Sequence, residues 1–317
     1  MTYRRRQYQR FRPANRNTLY LIVNKAASGY DPRKIDSLIA DLKKANREYH
    51  LIDADSPANA SEQVRQAVNR HPEGVIACGG DGTVNLVAQH LARRSPILGI
   101  YPLGKFNNIY KSLYGEPDSD RATKHILSGK ARRIDHALVD GKLVLGSLAL
   151  GLIPELNEMI GTRRIPRFGI SWSRYASQAA ARVQQTPISI KMDAFQFDIT
   201  PRLLNINLLT YTLGLPMAGA SLDNDGKAEV IFDVSDGKAI LSGYIRMIFR
   251  KKYIYSDEIR IYRGHKILLT PTQGKNLYLD GDIIPIKSES LSVEVFEKKI
   301  RLFDLEARPA KESAVDE

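Results

Sequence analysis

The residues best suited to chemistry in this chain form the short string Gly79-Gly80-Asp81-Gly82-Thr83, set between an apolar run and a helical pattern. Three glycines strip side chains from the loop. Backbone N–H groups can then close around a phosphate, and the following helix turns its positive end toward it. An acid inside an anion-binding loop has few uses: holding a magnesium ion, ordering water, or taking a proton from an attacking hydroxyl, and Asp81 suits any of them. A tight structural turn is the alternative, because Gly-Gly and Asp-Gly are ordinary turn dipeptides. Two further loops share this character. Pro102-Leu103-Gly104-Lys105-Phe106-Asn107-Asn108 carries a point cation in Lys105 and a donor–acceptor amide in Asn107, suited to phosphate or ribose. Asn24-Lys25-Ala26-Ala27-Ser28-Gly29 is the third.

Such loops act together only if the strands before them end on one edge. Thr18 to Val23, Tyr49 to Ile52, Gly74 to Cys78 and Ile97 to Tyr101 read as short buried strands. Helical spacing separates them, over 32–47, Ser61 to Asn69 and Val84 to Leu91. Alternating strands and helices predict a Rossmann-like parallel α/β nucleotide-binding domain with its ligands at the carboxyl edge of the sheet. From about residue 135 short strand-like runs follow one another: Ala137–Val139, Leu143–Ala149, Ile188–Met192, Phe195–Ile199, Leu204–Thr212 and Glu229–Val234. Glu258–Tyr262, Lys266–Thr270, Asn276–Leu279 and Ser292–Phe296 complete them, with helical insertions at Ser171–Val183 and Gly237–Arg250. This pattern predicts an antiparallel β-sandwich domain. The expected division is a basic arm over 1–17, the α/β domain over 18–135, the sandwich over 136–306 and a polar tail over 307–317. No internal repeat or low-complexity tract is present.

On these motifs the sequence resembles the diacylglycerol kinase catalytic family, which includes bacterial lipid kinases and the sphingosine and ceramide kinases; the similarity runs from about residue 17 to 305. Asn24 to Gly29 is similar to the family's Asn-Pro-x-Ser-Gly segment, with Lys25 where proline is usual. The Gly-Gly-Asp-Gly-Thr string is unaltered. Pro102 to Asn108 is similar to Pro-x-Gly-Thr-x-Asn-Asp, with Lys105 for threonine and Asn108 for aspartate. The resemblance implies ATP and Mg2+ as cofactors and transfer of the γ-phosphoryl group to a diacylglycerol-like or sphingoid-like hydroxyl. By it, Asn24, Gly79, Gly80, Asp81, Gly82, Thr83, Asn85, Gly104, Lys105 and Asn107 would bind the nucleotide. Ala220 to Lys227 resembles a segment that holds a structural magnesium, implying Asp225 as a carboxylate ligand and Leu222 and Lys227 as carbonyl ligands; an Asn-Asp-Gly hairpin turn without metal is the plain alternative. Leu279-Asp280-Gly281-Asp282 resembles Asp-Gly-Glu, which implies Asp282 as general base, one methylene shorter than the usual glutamate, with Asp81 beside it in catalysis. The substitutions at 105, 108 and 282 imply an atypical substrate or a slow enzyme.

Composition narrows the setting. Cys78 is the lone cysteine, which excludes a disulfide framework and fits a reducing compartment. No run reaches the ~18 apolar residues of a spanning helix, and no apolar stretch follows the basic N-terminus as a secretory signal requires. The expected location is cytoplasmic, with peripheral membrane contact open. The net charge is +12, and Arg4, Arg5, Arg6, Arg10, Arg12 and Arg16 precede any acid, interleaved with Tyr3, Tyr8 and Phe11. Such an arm could attract anionic lipid or nucleic acid phosphates, or simply stay solvated. Two later basic stretches carry aromatics: Arg163, Arg164, Arg167, Trp172 and Arg174, then Arg246, Phe249, Arg250, Lys251, Lys252 and Tyr253. They suit an anionic headgroup or a plain solvated helix face equally well. The expected partners are a lipid substrate and an anionic membrane surface, with a homodimer open and no nucleic acid expected. The rival functions are a nucleotide-binding regulator of the same fold without transfer, and an NAD kinase, which shares the Gly-Gly-Asp-Gly loop.

Overall fold

A computed structural model describes residues 15–306, except 55, 93, 95, 162–168, 220 and 235–258. Residues 1–14 of the arm expected over 1–17, the tail from 307, the expected helix Gly237–Arg250 and the side chains of both basic aromatic stretches lie outside the described residues, while residues 15–17 open the first strand. The first half runs β1 (Asn15–Val23), α1 (Pro32–Lys44), β2 (Glu48–Asp53), α2 (Pro57–Asn69), β3 (Pro72–Gly79), α3 (Asp81–Leu91) and β4 (Ile97–Pro102). Each of the first two helices starts where a capping side chain precedes a proline. Asp31 accepts the Arg33 N–H at 3.0 Å ahead of Pro32, and Ser56 accepts the Asn59 N–H ahead of Pro57. Their apolar faces, Ile35, Leu38 and Leu42 on α1 and Val64, Ala67 and Val68 on α2, are buried against the sheet. Val75, Ile76, Ala77 and Cys78 are wholly enclosed, as befits a parallel strand covered on both faces.

These four strands pair in parallel in the order β2-β1-β3-β4. The chain leaves β1 to one side for β2 and then crosses to the other for β3. The crevice above β1 and β3 is therefore the switch point at which open sheets take their ligands.

The chain continues with α4 (Asn108–Tyr114), α5 (Ser119–Leu127), β5 (Ala131–Val139), β6 (Lys142–Val144), β7 (Ser147–Gly151), α6 (Leu152–Gly161) and α7 (Gly169–Arg182). Next come β8 (Ile188–Met192), β9 (Phe195–Ile199), β10 (Leu203–Asn207), β11 (Tyr211–Thr212), β12 (Leu215–Pro216) and β13 (Ala228–Asp233). The described part closes with β14 (Ile259–Gly264), β15 (Lys266–Thr270), β16 (Asn276–Leu279), β17 (Asp282–Pro285) and β18 (Leu291–Phe303). Six of these strands form an antiparallel sheet, β14-β13-β10-β7-β16-β17. It faces β5, β6, β8, β15 and β18 across a core that includes Val139, Leu148, Ile190, Ile206, Val230, Leu269 and Val293. Helices α6 and α7 cover its other side through Leu156, Ile160 and Ala179. The fold class is thus a parallel α/β part joined to an antiparallel sandwich, with no barrel.

The last strand crosses the division expected near residue 135. β18 pairs with β15 and β5 and then runs in parallel beside β4, so one ten-stranded sheet spans both halves. Ile300, Leu302 and Phe303 belong to the core of the α/β part. Phe303 lies so close to Gly74 that a Cβ there would meet its ring at 2.5 Å.

Two further differences from the expected strands have local causes. Leu143–Ala149 is split into β6 and β7 because the N–H groups of Leu145, Gly146 and Ser147 all donate to Asp280 instead of to a neighbouring strand. Leu204–Thr212 breaks after Asn207 into β10 and β11.

Candidate functional site

The three loops named from sequence meet at the carboxyl ends of β1, β3 and β4 and are bonded to one another. Asn24 donates from Nδ2 to Thr83 Oγ1 at 3.1 Å, and its Oδ1 accepts the Ala26 N–H at 3.0 Å. The Gly29 N–H donates to the Leu103 carbonyl at 2.8 Å, and the Leu103 N–H to the Gly79 carbonyl at 2.9 Å. Gly80 and Gly104 stack backbone on backbone. A Cβ on Gly104 would come within 2.4 Å of Gly80 Cα and 2.8 Å of Asn107 Oδ1. No ordinary side chain fits at 104.

Asn107 is left-handed, with φ 50° and ψ 46°. Its amide accepts from Gly104 N at 2.8 Å and donates to Gly104 O at 2.9 Å. It therefore braces the loop in the observed arrangement, where the sequence suggested a phosphate contact.

Gly80 caps α3 without any side-chain bond, which leaves the start of that helix suited to an anion. Asp81 follows, but its carboxylate turns to the neighbouring helix. It accepts the Asn108 N–H at 3.0 Å, Asn108 Nδ2 at 3.1 Å and the Ile109 N–H at 2.8 Å. Asp81 is thus the cap of α4, supplied from 27 positions earlier in the chain. The residue keeps some surface, but protein crowds its carboxyl. Burial pushes that carboxyl up to about 6, against the Ile109 and Asn108 donors that pull it down, and the charge of Asp280 adds to the rise.

Asn108 also joins the two halves of the molecule: its Oδ1 accepts the Gly214 N–H at 2.7 Å from the hairpin between β11 and β12. Leu213 and Gly214 there both have positive φ, 51° and 77°, the two-residue turn that suits a hairpin.

A second such turn, Asp280-Gly281, joins β16 to β17 with φ values of 46° and 110°. It separates two acids that sequence treated as one string. Asp280 is 3% exposed and points inward, taking the N–H groups of Leu145, Gly146 and Ser147 at 2.9, 3.0 and 2.6 Å and Asn85 Nδ2 at 2.7 Å. Burial raises its carboxyl above the usual range. Asp282 faces the cleft: a Cβ on Gly82 would lie 4.0 Å from its Oδ2. It is open to solvent as a residue, yet enclosure of the carboxyl still raises it, while nearby Lys142 lowers it. Asn157 holds the Gly281 carbonyl at 3.1 Å and steadies the turn from α6. Sequence passed over Asp280 and the Asn108–Gly214 contact, because the Asp-Gly-Asp spacing alone does not say which acid faces inward.

Asn24, Gly79, Gly80, Asp81, Gly82, Thr83, Asn85, Gly104, Asn107 and Asp282 therefore converge. Lys105 stands beside them with its ammonium donating to the Ile160 carbonyl at 2.8 Å, 5.6 Å above the Phe106 ring; burial lowers its pKa. In this arrangement its charge serves the end of α6 rather than the cleft.

Leu222, Asp225 and Lys227 lie elsewhere, on the loop between β12 and β13 beside β5 and β18. Asp225 Oδ1 accepts the Lys227 N–H at 3.1 Å, and Oδ2 is paired with the guanidinium of Arg263. Leu222 is 54% exposed. No cluster of three or more acid, histidine or cysteine side chains suited to a metal occurs among the described residues. The set implied for magnesium does not fit as it stands, because a protein cation already occupies its only carboxylate.

Residues 18–139 match the diacylglycerol kinase catalytic domain. Over 233 residues the chain is 26% identical to a diacylglycerol kinase of Bacillus subtilis (strain 168), an alignment covering 71% of this chain and 76% of that protein. The crystal structure of a diacylglycerol kinase from Bacillus anthracis superposes with a TM-score of 0.71 at 18% identity, covering 93% of this chain and 98% of that one. An NAD kinase from Archaeoglobus fulgidus in complex with ATP is more distant, with a TM-score of 0.50 at 13% identity, covering 91% and 94% of the two chains. At these identities both structures speak to the fold. The glycine loop and its two companion loops, joined at one sheet edge, all lie inside the span that matches the diacylglycerol kinase catalytic domain.

Proposed function

We propose that this chain is an ATP-dependent lipid kinase that transfers the γ-phosphoryl group to the hydroxyl of a lipid acceptor. The observation that carries this reading is the meeting of Gly80, Gly104 and Asp282: two bare backbones at adjacent strand ends, with a carboxylate across from Gly82. Phosphoryl transfer needs little from a protein beyond alignment and charge. Bare glycine backbone lets phosphates approach the start of α3, whose amides have no side-chain cap. A divalent ion carried on the nucleotide would neutralise charge on the phosphates, and Asp282 is the carboxylate open to it. Asp282 also accepts the proton of the acceptor hydroxyl. Enclosure raises its pKa, which makes it a better base than an exposed aspartate. Asp81, saturated by three N–H donors from Asn108 and Ile109, acts as a positioning residue: it fixes the glycine loop to α4. The acceptor would reach Asp282 from the sandwich side, and an anionic membrane surface is the natural place to find it. No helix among the described residues is long and apolar enough to cross a membrane.

A second reading follows from Lys105 and Asn108. With the lysine turned to α6 and an amide where the family has a carboxylate, the chain could bind nucleotide without transferring phosphate. Incubation with γ-labelled ATP, mixed lipids and NAD separates the outcomes. Label in a lipid is expected. Label in NAD alone contradicts the proposal, and nucleotide binding with label in neither supports the regulator.

A further inference from the structure

The loop between β12 and β13 carries two acids, and each is matched by an arginine from a different strand. Asp225 pairs through Oδ2 with Arg263 of β14. Asp223 pairs through Oδ2 with Arg132 of β5 at 2.5 Å, and Arg132 also holds Asp304 at 2.5 Å. Backbone bonds complete the fastening. The Asp135 N–H donates to the Asp223 carbonyl at 2.7 Å. The Asp135 carboxylate takes the Gly226 N–H at 2.6 Å and the Lys298 N–H at 2.7 Å, the latter at the bulge of β18. Gly226, with φ 73°, makes the turn possible. The loop therefore staples the antiparallel sheet to β5 and β18, the strands that continue into the nucleotide-binding half.

The resemblance of Ala220 to Lys227 to a magnesium-holding segment implies a divalent ion on the Asp225 carboxylate. Here the oxygens of that carboxylate are both engaged, one by a backbone N–H and one by a guanidinium. A guanidinium and a metal ion repel each other, and a carboxylate oxygen saturated by one is a poor ligand for the other. We propose that Arg263 is the resident cation of this loop, standing where a divalent ion would otherwise sit, so that the staple between the two halves holds without metal. The planar fork of arginine suits the task, since it can meet Asp225 while staying 35% exposed at its outer side. This assignment does not rest on the kinase reading. It confines any metal requirement to the nucleotide.

Thermal unfolding of the full chain without nucleotide, in chelator and in excess magnesium, tests the assignment. Wild type should melt at the same temperature in both. Arg263→Met should melt lower by roughly 2–4 °C in chelator and recover in magnesium. Arg263→Lys should stay near wild type in chelator, and adding Asp225→Asn to Arg263→Met should abolish the recovery. The assignment is overturned if magnesium raises the wild-type midpoint by an amount that Asp225→Asn removes, if Arg263→Met melts like wild type in chelator, or if its loss is not recovered by magnesium. Should Arg263→Met not fold, the comparison of wild type with Asp225→Asn decides alone. A magnesium response that Asp225→Asn leaves intact arises elsewhere and upholds the assignment.

Discussion

Two aspartates that differ by a single turn residue do different things here. Asp280 spends its carboxylate on four donors inside the protein, whereas Asp282 keeps its own for the cleft. Asp282→Ala should lower turnover by about 10²–10⁴-fold, the usual range for removing a general base. Asp282→Glu, with the same charge and more reach, should keep most of the rate. Equal loss in both variants would move the proton transfer elsewhere. Asp81 offers a test through stability. Its folded pKa of about 6 lies above the ordinary aspartate value of 3.8. The fold therefore favours the protonated form, so that contribution is full below the unfolded pKa and is lost as pH rises through about 6. Wild type should lose stability relative to Asp81→Asn across that window in thermal unfolding; a constant difference contradicts the burial. Asn108→Asp adds a second carboxylate beside Asp81 and removes the Nδ2 donor. Both changes push the Asp81 pKa higher, so the pH window over which the fold loses stability should move up in thermal unfolding; an unmoved window contradicts this. Of the site residues, the glycines and Asp282 were legible in the string. The inward role of Asp280 was not, because it depends on the left-handed turn at 280–281 and on three amides more than 130 positions away.

At the level of elements, the first four strands announce themselves because both faces are buried, so Val75 to Cys78 reads as an unbroken apolar run. Other elements hide for physical reasons. α4 has no cap of its own, since its first amides bond to Asp81 in a distant loop. α5 has a proper cap in Asp118, but its buried face mixes Thr123 and His125 with Ala122 and Ile126, so it does not read as an apolar stripe. β18 passes through Glu297-Lys298-Lys299, where Lys298 takes φ 51° and the register slips. That charged bulge ends the apparent strand at Phe296, although the real one continues to Phe303. The contact between the glycine loop and the loop after β4 is the element-level feature on which binding rests. Gly104→Ala should force the two backbones apart and weaken ATP binding at least tenfold, about 1.4 kcal/mol, while the core beneath stays folded. Unchanged affinity in that variant would mean that the loops do not close on the nucleotide together.

Across the whole molecule, the two halves are not beads on a string. The final strand fills the α/β core with Ile300, Leu302 and Phe303, Asn108 bonds to the β11–β12 hairpin, and the loop between β12 and β13 is fastened to β5 and β18. A fragment ending at residue 139 should therefore fail to fold, although it spans the matched family segment; a cooperative unfolding transition from that fragment contradicts this. Phe303→Ala in the full chain should cost about 3–5 kcal/mol by chemical denaturation, even though it lies far along the sequence from the site. A strand order that places the switch point above β1 and β3 puts Asn24, Gly80 and Gly104 at one crevice, and the sandwich brings Asp282 to the same place. The most direct test of that convergence is calorimetric titration of the full-length protein with magnesium ATP, wild type beside Gly104→Val. Saturable wild-type binding at roughly 1 μM–1 mM, lost in the valine variant, is the predicted result; no binding by wild type, or equal binding by both, would contradict it.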